Sequence, residues 1–100
     1  MNEEKTMSKK VKLFKSKERR TRNEVSTFLK DLAAKIDEGQ VLLRQGNQET
    51  NLELPDNVKF EVEADQKQKK HKGLKYSLEV EIEWYEGDKV NRGDGKLELG

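Results

Sequence analysis

Residues 74–84 read Leu74-Lys75-Tyr76-Ser77-Leu78-Glu79-Val80-Glu81-Ile82-Glu83-Trp84, apolar at every even position and polar or charged at every odd one. Side chains alternate across a strand with period two, so one face takes all six apolar residues and the other takes the acids. That makes the stretch a long, half-buried strand. Just upstream, Val58, Phe60, Val62 and Ala64 alternate in the same way with Lys59, Glu61, Glu63 and Asp65. Gln66 to Gly73, rich in lysine, reads as the hairpin tip between the two strands. Directly opposed like charges are unfavourable in a sheet, so charge favours the register that pairs Glu63 with Lys75 and Lys59 with Glu79.

Further upstream the period changes. Val25, Phe28, Leu29, Leu32, Ala33 and Ile36 recur at helical spacing and form one apolar stripe. Thr21 and Glu24 stand as a capping box at its start, and Gly39 suits the left-handed residue just past its end. Gly46-Asn47 favours a tight turn between strands Val41 to Gln45 and Thr50 to Leu54, and Pro55-Asp56-Asn57 is expected to close the next hairpin. Val11 and Leu13, set between Lys10 and Lys12 and followed by Phe14, give a short first strand. The chain holds no internal repeats.

Composition bounds what such a chain does. Its 100 residues suit a single domain with a modest core, because 31% are hydrophobic, 41% are charged and the mean hydropathy is -1.13. Some of the chain is therefore expected to be disordered. The net charge of +1 selects no partner, but residues 1–50 carry 12 basic and 8 acidic side chains, net +4, and residues 51–100 carry 9 and 12, net -3. With 0 cysteines there is no disulfide, thiol nucleophile or thiolate metal site. No segment approaches a membrane span and the start lacks the apolar core of a signal peptide, so the expected location is cytoplasmic.

Residues 12–87 resemble the amphi-Trp domain family, named for an amphipathic strand that ends in tryptophan. The residues that carry the resemblance are Glu79-Val80-Glu81-Ile82-Glu83-Trp84 with Glu86-Gly87, Glu38-Gly39-Gln40-Val41, and Leu52-Glu53-Leu54-Pro55, in that family's order and spacing. The family carries no established biochemical activity. The resemblance therefore implies a fold unit and transfers no catalytic or binding residue.

Together these readings predict an α+β fold, a two-layer β-α-β-β-β-β arrangement with one amphipathic helix on a mostly antiparallel sheet of about five strands. Residues 11–87 form the domain, 1–10 an arm and 88–100 a tail. A helix crossing between strands one and two makes those two parallel, and successive hairpins then bring the helix start and the last hairpin tip to one end. That end collects Lys15, Lys17, Arg19, Arg20 and Arg22 with Lys67, Lys69, Lys70, Lys72 and Lys75, beside a helix N-terminus whose free amides attract anions. Asp37, Glu38, Asp56, Glu86 and Asp88 map to the opposite end.

Two function classes follow. One is a protein-interaction module, docking an unidentified protein partner or a second copy of the chain through a strand edge or the acidic outer face. That face holds Glu53, Glu61, Glu63, Glu79, Glu81 and Glu83, with Trp84 and Tyr85 at its rim. The other is an accessory binder of nucleic acid or another polyanion through the basic end, without base stacking because no aromatic residue interleaves with the lysines. No catalytic residue, cofactor site or metal site is expected, since paired carboxylates on an open sheet lack the cleft that acid–base chemistry requires. Trp84, in phase with the apolar face, reads as a core-edge residue. His71 among lysines reads as plain surface, and Arg92-Gly93-Asp94 as a chance tripeptide.

Overall fold

Helix α1, Arg22–Glu38, forms where the apolar stripe lies, and both of its ends are closed by the residues the sequence marks. Thr21 Oγ1 accepts from the Glu24 amide at 3.1 Å, and Glu24 Oε1 accepts from the Thr21 amide at 2.9 Å, completing the capping box. Gly39, at φ 87°, turns the chain out of the helix, and its amide donates back to the Ile36 carbonyl. The computed structural model describes residues 9–88.

Two antiparallel hairpins follow α1. Strands β1, Gln40–Gln45, and β2, Gln48–Glu53, pair with Gln45 opposite Gln48. Only Gly46 of the two turn residues has positive φ, at 58°, the pattern of a II′ turn with glycine first. Strands β3, Lys59–Lys69, and β4, Gly73–Glu83, form a second and longer ladder. The fold is thus α+β, with one helix and four strands in two separate two-stranded sheets among the described residues.

Four features differ from the sequence expectation. The chain divides into two units, Met1–Glu53 and Leu54–Gly100, so Pro55-Asp56-Asn57 leads from one hairpin into another and closes no hairpin between β2 and β3. Val11 to Phe14 form no strand. Side chains of β2 hold that segment instead: Thr50 Oγ1 donates to the Leu13 carbonyl at 2.9 Å, and the Gln48 amide group pairs with both the N–H and the C=O of Lys15 at 3.0 and 2.9 Å. A side-chain amide presents the same donor and acceptor as a peptide group, so Gln48 replaces a ladder with one local clasp. This removes the parallel first strand on which the convergence of the two basic segments depended.

The register of β3 and β4 also differs. Glu63 faces Glu79 and Lys67 faces Lys75, because the three-residue loop 70–72 closes on Gly73 at φ 82°. A loop of this length ending on a left-handed glycine sets the hairpin register, and its geometry outweighs the modest penalty of opposed like charges. The last difference is burial. Val41, 6% exposed, is the buried apolar residue of the described chain, with Leu32, Ile36 and Leu43 half-buried where α1 meets β1, and Leu52 half-buried opposite Val41 on β2. Val58, Phe60, Val62 and Ala64, expected to face a core, are all exposed.

Candidate functional site

The β3–β4 register sorts every side chain of the second hairpin onto one of two faces. On one face Phe60 sits opposite Ile82, Val62 opposite Val80, Ala64 opposite Leu78, Gln66 opposite Tyr76 and Gln68 opposite Leu74. This face carries no charge, and its two glutamines lie toward the tip, where Gln66 Nε2 donates to the Tyr76 hydroxyl at 3.1 Å. It is open to solvent: Leu78 is 72% exposed, Tyr76 68% and Phe60 63%. Each ordered apolar side chain left in water forgoes its burial free energy, and a two-stranded sheet by itself is only marginally stable.

At the base of that face, Ile82 and Trp84 are half-buried beside Val58, Lys59 and Tyr85, around a hollow of about 760 Å³. Trp84 is the rim residue that its phase predicts. Tyr85, 81% exposed, follows it into a turn closed by the Asp88 carboxylate on the Tyr85 amide at 2.8 Å.

The opposite face of the hairpin is charged along its whole length. Glu61 faces Glu81 and Glu63 faces Glu79, while Lys59 Nζ lies 3.9 Å from Glu83 Oε1. Carboxylate oxygens of Glu61, Glu81 and Glu83 come within 4.8 Å of one another, all exposed. A protonated Glu81 hydrogen-bonds Glu83 and then Glu61, and with the repulsion between the three charges this holds its pKa above the usual carboxylate value. Of all the described acids these three are the group close enough to share a cation; all three are exposed, and Glu83 also lines the hollow at the base of the hairpin.

Toward the tip the sign reverses. Lys67 faces Lys75, and Lys69, Lys70 and Lys72 cluster at the turn with His71. The hairpin is thus basic at one end and acidic at the other, an axis the sequence predicts for the whole domain and the structure shows within this unit.

The other predicted basic segment lies in the first unit. Lys15 is held by its backbone N–H and C=O and is exposed, as are Lys17, Arg19 and Arg22. Arg20 is not a free cation, since its guanidinium sits 2.6 Å from Glu18 Oε1. Glu18 also accepts from Gln45 Nε2 at 2.8 Å, and this bond with the Arg20 contact holds its pKa below the usual carboxylate value. The sequence reading missed Glu18 as the joint of this unit, because its partner Gln45 lies in a different element. Beside it, Phe14, Val25, Phe28, Leu42 and Leu43 line an open groove of about 930 Å³. At the helix start the expected anion site is already engaged, with Glu24 and Thr21 on amides a ligand would use, and the Thr21 amide holds the Glu24 pKa below its usual value.

No helix among the described residues is long and apolar enough to cross a membrane. The family model described as Amphi-Trp domain matches residues 7–100. No curated protein and no solved structure matches the chain.

Proposed function

The chain belongs to the Amphi-Trp domain family, with its amphipathic strand in β4, and we propose that it is a non-enzymatic protein-interaction module docking through the apolar face of the β3–β4 hairpin. The observation that carries this reading is the uncharged row Phe60, Val62, Ala64, Leu78, Val80 and Ile82, ordered in a ladder yet exposed or half-buried along its length. Such a face recognises a matching apolar surface and has nothing with which to hold a charged ligand. The contact surface therefore moves from the face of Glu79, Glu81 and Glu83 to the reverse side of the same strands, with Trp84 and Tyr85 at its end. A cytoplasmic setting fits a chain with 0 cysteines.

Photo-crosslinking in cells tests the reading. A photoreactive residue at position 78, on the apolar face, is expected to give protein adducts, and the same residue at position 79, on the reverse face, is expected to give few. Equal yields at both positions, or adducts only at 79, contradict it.

A second reading rests on the hairpin tip. Among the described residues no ion pair involves Lys67, Lys69, Lys70, Lys72 or Lys75, so five uncompensated charges are available to a polyanion. Binding of labelled DNA or RNA at low salt, lost on Lys69→Glu with Lys70→Glu and weakening steeply as salt rises, supports it. Absence of binding at low salt ends it.

A further inference from the structure

We infer that the partner of the hairpin's apolar face is a second copy of this chain, stacked face to face with the two hairpins running in opposite directions. The inference rests on the interaction reading above and names its occupant. Three observations carry it. The first is symmetry along the ladder: Ala64 and Leu78 stand at the middle of the strands, with five pairs on either side. A two-fold axis at that level, lying between the sheets and across the strands, lays β4 along β4 of the other copy. It sets Leu78 against Leu78, Val80 against Tyr76, and Ile82 against Leu74. The result is an apolar seam five residues long on β4, the kind of self-complementary contact an isologous dimer requires, flanked on β3 by Ala64 against Ala64 and by the glutamines Gln66 and Gln68 against Val62 and Phe60.

The second observation is charge. Each hairpin has a basic tip, Lys69, Lys70 and Lys72, and a base that is net acidic, where Glu81, Glu86 and Asp88 add to a Glu83 paired with Lys59. Lys69, Glu81 and Glu83 lie on the reverse face, so the charge acts between the ends of the stack and not as contacts across the seam. The antiparallel arrangement sets each tip over the other copy's base, whereas the parallel arrangement sets tip on tip and is disfavoured by like charge. The third is area. The exposed fractions of Phe60, Val62, Leu74, Tyr76, Leu78 and Val80 amount to on the order of 600 Å² per copy, about 1,200 Å² for the pair, the lower bound of specific interfaces. Stacked sheets pack about 10 Å apart, which side chains of this size fill. The dimer is accordingly expected to be reversible and salt-sensitive.

Sedimentation equilibrium of the full chain over a wide concentration range is the test. A monomer–dimer equilibrium is expected, with the dissociation constant raised at least about tenfold by Leu78→Glu and by Lys70→Glu with Lys72→Glu. Leu78→Glu alone also strains the hairpin, so Leu78→Cys supplies an independent readout. Across stacked sheets the two α-carbons lie about 10 Å apart, too far for a direct disulfide, and a short bifunctional thiol reagent is expected to link the dimer at position 78 and not at Glu79→Cys. A wild-type chain that stays monomeric at the highest concentration, or a dimer indifferent to all of these changes, overturns the inference. Adducts to a different protein from position 78 in a monomeric chain overturn self-association and keep the interaction reading. A monomer without adducts at position 78 removes both.

Discussion

Lys69 and Gly73 face each other as the last ladder pair of β3 and β4, and Gly73 reaches that position only with φ at 82°. A β-carbon there meets nothing within 4 Å, so the constraint on residue 73 is backbone conformation alone. Gly73→Ala is expected to cost about 1–2 kcal/mol, the left-handed penalty of a residue with a β-carbon. Thermal unfolding measures the loss. A stability equal to wild type shows that the loop does not set the register.

The three clustered carboxylates give a pH dependence with a definite sign. Glu81 titrates above its usual value when folded, so between the usual and the raised pKa the native state binds more protons than the unfolded state. Stability from this group is therefore whole in acid and falls as pH rises through that window. Glu81→Gln is expected to raise the melting temperature at neutral pH and to lose that advantage below the window. An advantage of the same size at all pH values contradicts the coupling.

The helix start behaves in the opposite sense. Glu24 has a lowered pKa when folded, so its contribution is present above the usual carboxylate value and is lost as pH falls through the lowered one. Thr21→Ala removes the other half of the box and is expected to cost about 1 kcal/mol. Helical circular dichroism during an acid titration should show a smaller acid-induced loss in Glu24→Gln than in wild type, whereas Thr21→Ala, which keeps the residue-21 amide that Glu24 accepts from, retains most of that loss.

Trp84 is half-buried and lines one hollow together with Val58 and Ile82. Trp84→Ala is therefore expected to destabilise by about 1–2 kcal/mol, below the roughly 3–5 kcal/mol of a fully buried aromatic. Chemical denaturation gives the value. A cost at the upper figure means the ring is enclosed by more than this hollow.

Much of the fold was legible in the sequence where local rules decide. The helix with its capping box and Gly39, the Gly46 turn, and the two strand pairs all follow from periodicity and turn chemistry. The β3–β4 register was misread because opposed charges on an exposed sheet weigh less than the loop that ends on Gly73. The first strand was misread because the Gln48 clasp on Lys15 is a long-range side-chain contact without a sequence period. The site was half legible. Alternation places Phe60, Val62, Leu78 and Val80 on one face, but phase does not say whether anything covers that face. A composition of 31% hydrophobic residues was the available sign that cover is scarce.

The central claim is that this face is exposed among the described residues, and methyl relaxation by a soluble paramagnetic agent, at concentrations low enough to keep the protein monomeric, tests it directly. Val41, 6% exposed, is the internal reference. The account predicts strong broadening of the Leu78, Val62 and Val80 methyl signals while those of Val41 stay sharp. Leu78 methyls as well shielded as those of Val41 in the dilute chain contradict it.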